Sequence, residues 1–182
     1  MKQRLMLIVL VSLCSIMQLK AQSFITYHGE ADLSYSSGVG NISVDRYNIH
    51  TIHGIMVDDN CSVGVGVGID CYTIDQISVA VPIYLAIKGY YPMTDILYGF
   101  IGLDCGVGLG ASEYAKGLKG LYLTPSLGLK IGHLKLQIGY NVQRISENGI
   151  GVNLGAVQAK LGVMFYLKSA DNFSSVRFSP CL

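Results

Sequence analysis

Residues 157–167, VQAKLGVMFYL, decide the fold of this chain. Their odd-numbered positions are all apolar, whereas their even-numbered positions are polar, small or amphipathic. A period of two is the spacing of a β-strand, whose side chains alternate between the two faces of a sheet. The same alternation recurs along the chain and predicts seven further strands, at about 24–35, 46–57, 62–72, 77–90, 97–111, 121–131 and 135–143.

The composition indicates one apolar domain. The chain has 182 residues, of which 51% are apolar and only 14% charged, and its mean hydropathy is +0.43. A lipid-facing surface is one way to place this excess of apolar side chains. The formal net charge of +1 gives no basis for electrostatic capture of nucleic acid, so we expect no nucleic-acid partner.

The amino terminus has the layout of a signal peptide. Lys2 and Arg4 precede the apolar run 5–17, and Ala21 is a small residue at the expected cleavage site. The run of about a dozen residues is shorter than the roughly 20 that a transmembrane helix needs. We therefore divide the chain into a signal peptide (1–21), a β-domain (22–168) and a polar tail (169–182).

The cysteines do not form an obvious framework. Leu13 stands where a lipobox needs a small residue, so Cys14 is not expected to be a lipid anchor. Cys61 and Cys71 bracket one strand, and ten residues of strand separate them by roughly 33 Å, far beyond the reach of a disulfide. We interpret these residues and Cys105 as small hydrophobes on apolar faces, and predict no metal site.

The polar face of the strands distinguishes a membrane barrel from a soluble one. A soluble barrel normally exposes many Lys and Glu side chains, whereas this face is mostly Gly, Ser, Ala, Asn and Gln. Eight strands that close on themselves leave no unpaired edge in hydrocarbon, and their interior is only wide enough for side chains. We therefore predict an eight-stranded antiparallel transmembrane barrel with a balanced, ion-paired lumen made by Glu30, Asp32, Asp70, Asp104, Lys88, Lys130, Lys135 and Lys160. The odd positions of 157–167 should face outward.

The three glycines of the run GVGVG at 64–68 belong to this lumen face. The run lacks the spacing of a dinucleotide-binding loop and opens no helix, so it does not indicate nucleotide binding. Glycine at every second position instead predicts a crowded interior. Glycine recurs on the same face of strand 97–111.

Two places depart from the alternation. In strand 46–57, Thr51 and His53 fall on the apolar face while Ile52 and Met56 fall on the polar one, which a β-bulge would explain. Pro82 cannot donate a ladder hydrogen bond, so we predict a local break or bulge there.

Several stretches together resemble a known family, the outer-membrane protein β-barrel domain family of small OmpA- and OmpX-type barrels from Gram-negative bacteria. They are GVGVGID (64–70), VPI (81–83), TPSLGLK (124–130), IGYN (138–141) and KLGVMFYL (160–167). Within the last, Lys160, Gly162, Phe165 and Leu167 resemble the C-terminal insertion signal of such barrels. The resemblance implies residence in the outer membrane, contact with its lipid and with the barrel-insertion machinery, and a monomer whose surface partner the sequence does not identify.

Tyrosines near strand ends predict aromatic girdles at the two membrane interfaces. These residues are Tyr35, Tyr47, Tyr72, Tyr90, Tyr91, Tyr98, Tyr122 and Tyr166. The predicted loops are 36–45, 73–76, 113–120 and 146–151, with a turn at 90–95 and a two-residue connection at 133–134.

The function that this pattern favours is a non-enzymatic barrel with a structural or adhesin-like role. A small pore is an alternative, because glycines in the lumen could leave space for water. A secreted, soluble lipocalin-like barrel that binds a ligand is another. An enzyme would need a histidine with a serine or aspartate near the rim; of His28, His50, His53 and His133, the first and last are expected to be solvated and none has a recognisable partner motif. We predict no catalytic residues and no cofactor.

Overall fold

The computed structural model describes residues 25–40, 43–58, 60–73, 78–111, 119–147 and 150–167. The predicted signal peptide and tail lie outside these residues. The strands are β1 (Ile25–Val39), β2 (Arg46–Val57), β3 (Cys61–Tyr72), β4 (Ser78–Pro92), β5 (Leu97–Gly110), β6 (Lys119–Ile131), β7 (Leu134–Glu147) and β8 (Ile150–Leu167). Within the described ranges, no helix is both long and apolar enough to cross a bilayer.

The strands form a closed antiparallel barrel in chain order, because β8 pairs back onto β1. The predicted fold is therefore confirmed. The paired residues can be followed once around the wall, starting at Ile25 and returning to β1 at Tyr35, ten residues further along. This stagger tilts the strands, and eight tilted strands enclose a lumen that side chains can fill.

The odd positions of 157–167 face outward, as predicted. Leu161 is 53% exposed, whereas Lys160 beside it is 3% exposed. The pairing register then fixes which residues of each adjacent strand face outward, because a shift of one residue would reverse the facing of a whole strand. The barrel is consequently apolar outside and polar inside.

The two ends of the barrel differ. We call the end with Ile25 and Leu167 the termini end; it also carries the connections 58–60, 93–96 and 132–133. The opposite end, the loop end, carries 40–45, 73–77, 111–118 and 148–149.

Four predicted connections are wrong in extent. The predicted loop 113–120 is one of them, because β6 already begins at Lys119. β1 continues to Val39 and β4 to Pro92, and Glu147 pairs with Ile150, so two residues join β7 to β8 where we expected the loop 146–151. The β6–β7 connection lies at 132–133, one residue earlier than predicted. Gly132 has a φ of 58° there, a left-handed conformation that glycine adopts without a steric penalty.

The predicted bulge in β2 is wrong. Its register with β1 and β3 is continuous from Arg46 to Val57, so Ile52 and Met56 point into the lumen and are each 1% exposed. They are accommodated because the lumen has apolar pockets: Ile52 packs in a buried cluster with Tyr84, Ala86 and Tyr122. The alternation of β2 is therefore intact, and its lumen face is simply less polar.

The break at Pro82 is confirmed. Pairing between β3 and β4 stops after Val67–Ile83 and resumes at Asp70–Ala80 in the same register. The interruption is a missing stretch of ladder without an inserted residue, as the lost N–H of proline requires.

Candidate functional site

The lumen near the middle of β1 holds a buried group of charges. The Glu30 carboxylate accepts hydrogen bonds from the Nζ atoms of Lys88 and Lys135, and Lys135 Nζ also lies 2.9 Å from the Asp32 carboxylate. His28 Nε2 is 3.2 Å from Glu30 Oε1. Because alternation points these side chains inward from β1, β4 and β7, three strands are joined by one ionic group.

Closer to the loop end, two more acids are paired. Lys160 Nζ donates to Asp104 Oδ2 at 3.0 Å. The Oδ1 atom of Asp70 accepts from Asn48 Nδ2 at 2.5 Å and lies 2.8 Å from His50 Nε2. All eight predicted lumen charges are buried, and they form several local groups along the barrel.

Arg46 is a fifth lumen cation that the sequence analysis missed. It is 1% exposed, and its Nη1 donates to Tyr72 Oη at 3.2 Å and to Gln143 Oε1 at 3.0 Å. Its Nη2 donates to Asn141 Oδ1. Arg46 is the first residue of β2 and has an even number. Even-numbered residues of this strand face the lumen, so its position could have been predicted.

The termini end of the lumen is closed by apolar and aromatic side chains. They are Met56, Tyr90, Phe100 and Met164, with Tyr98 and Tyr166 packed against them. Lys130 Nζ lies 5.5, 4.6 and 5.2 Å from the ring centroids of Tyr90, Tyr98 and Tyr166, a cation–π arrangement. The lumen charge Lys130 therefore lies among rings at this end, below the ionic groups.

The lumen glycines make room for large neighbours. A methyl group at Gly66 would overlap the Tyr84 ring, and one at Gly68 would overlap the His50 ring. One at Gly106 would overlap the β4 backbone at Ile83 and Tyr84. The crowded interior that the glycine spacing predicts is thus confirmed at these positions. At Gly66 and Gly68 the space is filled by rings, which is the opposite of the water space that a pore would need.

The predicted tyrosine girdles need correction. Only Tyr35, Tyr47 and Tyr91 of the predicted set are exposed on the wall. The other five point inward: Tyr72, Tyr90, Tyr98, Tyr122 and Tyr166. Residue type led to the wrong prediction, because all five occupy even positions on the lumen face.

The residues of the predicted insertion signal each have a place in the barrel. Lys160 forms its lumen ion pair, and Gly162 leaves room for a neighbouring aspartate. The Phe165 ring covers Gly29 on β1, and Leu167 is exposed at the termini end. Recognition by an insertion machinery stays a prediction.

The four histidines divide between inside and outside. His28 was expected to be solvated, and this is wrong: it is 1% exposed because the lumen below it is closed. His50 is buried beside Asp70, with Tyr84 Oη 3.3 Å from its Nδ1. His133 lies exposed in the β6–β7 connection, as predicted.

His53 is the centre of a polar row on the outer wall. Its Nδ1 lies 2.6 Å from Tyr27 Oη, and its Nε2 lies 3.1 Å from Thr51 Oγ1. Thr51 Oγ1 also donates to the backbone oxygen of Glu30 at 3.1 Å. A hydroxyl, an imidazole and a phenol are thus in line. No carboxylate of the described residues joins them, and an acid is what usually orients a catalytic histidine.

Metal binding has no obvious location. In the part of the chain that the structure describes, no three His, Cys, Asp or Glu side chains are grouped as ligands. Cys61, Cys71 and Cys105 are free thiols at outward positions of β3 and β5, where we expected small hydrophobes.

Comparison with known proteins identifies the fold. No protein-family model and no curated sequence matches the chain. Among solved structures, Neisserial surface protein A (NspA) is 11% identical with a TM-score of 0.60, over 81% of this chain and 99% of that one. The outer-membrane enzyme PagL is 12% identical with a TM-score of 0.51, over 72% of this chain and 98% of that one. At such identities the likeness concerns the backbone alone: this chain has the fold of the small, eight-stranded outer-membrane β-barrels.

Proposed function

We propose that the protein is an integral outer-membrane barrel of a Gram-negative bacterium with a structural or adhesin-like role and no enzymatic activity. The observation that carries this proposal is the apolar wall around a filled, charged lumen. Hydrocarbon is the solvent in which such a wall is stable. Water is not, since monomeric soluble proteins rarely expose apolar patches beyond a few hundred Å².

Along the barrel axis, the outward side chains are distributed as in a membrane-spanning barrel. Exposed aromatic side chains stand near the termini end at Tyr27 and Tyr91, and near the loop end at Tyr35 and Tyr47. Between them the outward residues are largely aliphatic. Outer-membrane barrels have an apolar band flanked by such rings, with short turns on the periplasmic side, so the loop end would face the outside of the cell.

The alternative functions are less well supported. A soluble lipocalin-like barrel would need an apolar interior and a polar wall, and this barrel has the reverse. A pore is disfavoured because the lumen is closed by rings at the termini end and occupied by ion pairs above them. An enzyme is disfavoured because, among the described residues, no carboxylate joins the Tyr27–His53–Thr51 row.

Membrane residence can be tested by fractionation and electrophoresis. We expect the protein to stay in the membrane after alkaline extraction and to migrate differently when boiled, because a folded barrel resists detergent. Full extraction into the aqueous phase would overturn the proposal. Planar-bilayer recordings should show no reproducible conductance.

Orientation can be tested with two epitope insertions. An epitope in connection 111–118 should bind antibody on intact cells, whereas a matched epitope in connection 93–96 should bind only after permeabilisation. Cells in which 112–118 is replaced by a short Gly-Ser linker then separate the two roles. Loss of surface interactions with an intact envelope indicates an adhesin-like role, whereas an envelope defect only on complete deletion indicates a structural one.

Recognition by the barrel-insertion machinery is also part of the proposed function. The insertion machinery would recognise β8 through Phe165 and Leu167. Replacing both by alanine should reduce the folded fraction in cells more than it reduces refolding from urea into detergent. Equal reductions would show that these residues serve only the folded barrel.

A further inference from the structure

Two neighbouring columns of the outer wall end in a cation. On β6 the outward residues from the termini end to the loop end are Ile131, Leu129, Leu127, Pro125, Leu123, Leu121 and Lys119. On β7 the outward residues whose side chains are described are Leu134, Leu136, Ile138, Tyr140, Val142 and Arg144. Each column is apolar until its last residue, which is exposed and basic.

These two cations lie close together. Lys119 pairs with Ser146, two residues beyond Arg144 on β7, so the two residues are diagonal neighbours on one face, about 7–8 Å apart. Long side chains at this separation can converge on one anion. Among the described side chains, which do not include that of Glu147, no carboxylate lies within ion-pair distance of either.

Their position on the barrel distinguishes them from every other described cation. The remaining lysines and arginine in the described ranges, namely Arg46, Lys88, Lys130, Lys135 and Lys160, are buried in the lumen. Asp95 is exposed in a turn at the opposite end, and the β2 column ends beside Asp45. Among the described lysines and arginines, those on the wall therefore lie only at the loop end of β6 and β7.

The depth of the pair matches a lipid headgroup. Arg144 lies two outward positions beyond the exposed Tyr140. Tyr140 pairs with Val157, which pairs in turn with Ser37 near the loop end of β1, and aromatic rings of membrane proteins lie at headgroup level. We propose that Lys119 and Arg144 bind the phosphate of an anionic lipid in the leaflet at the loop end, whose acyl chains lie along the two apolar columns. The guanidinium can hold two phosphate oxygens at once, and the ammonium adds a point charge.

This inference rests on the proposed membrane residence, and the test keeps the two apart. The full-length mature chain is refolded into mixed detergent micelles that contain phosphatidic acid and phosphatidylcholine, and retained lipid is counted by native mass spectrometry. The variant K119Q/R144Q removes both charges. Asp95→Asn is the matched control, because it changes a charge at the other end.

We expect the wild-type barrel to retain phosphatidic acid over phosphatidylcholine, and K119Q/R144Q to lose roughly thirtyfold of that preference. K119R should keep most of it, and Asp95→Asn all of it. Equal preference in K119Q/R144Q, or no preference in the wild type, would overturn the inference. Competition by millimolar inorganic phosphate would likewise overturn it, by showing a site for a free anion.

Heat-dependent migration of each variant reports folding independently. If the double variant does not fold, the single variants K119Q and R144Q are compared, each expected to lose part of the preference. A barrel that folds into the membrane without lipid selectivity would refute only the lipid site. A chain that stays in the aqueous phase would refute the proposed function itself.

Discussion

The lumen and the wall of this barrel follow opposite rules, although they are built from alternate residues of the same strands. On β1, Glu30 and Asp32 are buried and ion-paired, while Ala31 and Leu33 beside them face outward. In a soluble protein the charged side would face the solvent. In the proposed membrane setting the outer solvent is apolar. The charges then lie inside and must neutralise one another, so each substitution should be judged by the side on which it falls.

The largest effect is expected from breaking the ionic group in the lumen. Lys135→Met leaves the Asp32 carboxylate without its ammonium partner and removes one of two from Glu30. Removing one partner of a buried pair costs about 3–5 kcal/mol. Urea unfolding of the refolded barrel in phospholipid vesicles measures this loss.

Two further variants show whether the side of the barrel decides that cost. Lys119→Met, on the wall at the loop end, should lose far less stability. Adding Glu30→Gln to Lys135→Met should restore part of the loss, since one buried negative charge is removed as well. Equal destabilisation by Lys135→Met and Lys119→Met would contradict the distinction between lumen and wall.

A charge placed on the wall should lower the free energy of unfolding nearly as much. The loss should depend on how deep in the membrane the substituted residue lies. Leu161 lies in the aliphatic part of β8, opposite Leu33 and Leu136, whereas Leu167 ends the strand. Leu161→Arg should destabilise the barrel by roughly 2–4 kcal/mol and Leu167→Arg by about 0–1 kcal/mol, as for arginine at the middle and edge of other membrane barrels.

The same vesicle-based unfolding compares the two arginines directly. A smaller loss for Leu161→Arg than for Leu167→Arg would mean that the wall does not span the membrane as proposed. In detergent micelles, which adapt to the protein, the difference should shrink.

Glycine substitutions should show the same difference between lumen and wall, with a smaller loss of stability. A methyl group at Gly66 would overlap the ring of Tyr84, which is held in a buried cluster and cannot move aside. Overpacking of this kind costs typically about 1–3 kcal/mol. Gly89, on the wall, has only Ile101 Cγ1 at 3.9 Å from such a methyl. Gly66→Ala should therefore lower the unfolding midpoint and Gly89→Ala should not; matching midpoints would show that the lumen tolerates an added methyl.

Alternation predicted the fold and the facing of the lumen charges because both depend on neighbours in sequence. The partners of those charges could not be predicted in the same way. Lys135 and Glu30 meet only because the stagger of the whole barrel brings β7 and β1 to matching heights. One strand does not contain that information.

Other errors came from reading residue type before position. The preference of tyrosine for interfaces predicts a girdle position for Tyr122, although its even number places it in the lumen, where it is 1% exposed. Arg46 has the same parity, and its position in the lumen follows from that parity alone. The loop at 146–151 contains Asn148-Gly149, a dipeptide that favours a two-residue hairpin connection, and this signal was available from the sequence.

The smallest change in stability is expected at the rim of the loop end, where side chains of both faces contact water. At the loop end, the Tyr35 hydroxyl donates to Asp45 Oδ2 at 2.7 Å and the Gly38 N–H donates to Oδ1 at 3.0 Å. These two hydrogen bonds, of which the one from Tyr35 has the larger effect, hold the pKa of the Asp45 carboxyl below its ordinary value. A lowered pKa in the folded state means that the contacts stabilise the turn above the ordinary pKa of aspartate and are lost as the pH falls through the lowered value.

Tyr35→Phe removes the stronger of the two donors and should move the pKa of Asp45 back toward its ordinary value, which an NMR titration of the carboxyl carbon measures. Because Asp45 is exposed to water, global stability should change little even though the pKa moves. Ser43→Ala, which removes a hydroxyl that binds the Gly38 oxygen in the same turn, is the matched control and should leave the pKa nearly unchanged. An unmoved pKa in Tyr35→Phe would show that the turn, and not the phenol, sets the charge of this carboxyl. A large loss of stability would show instead that hydrogen bonds at the rim matter as much as those in the lumen, and so would break the contrast drawn between protected and solvated parts of the barrel.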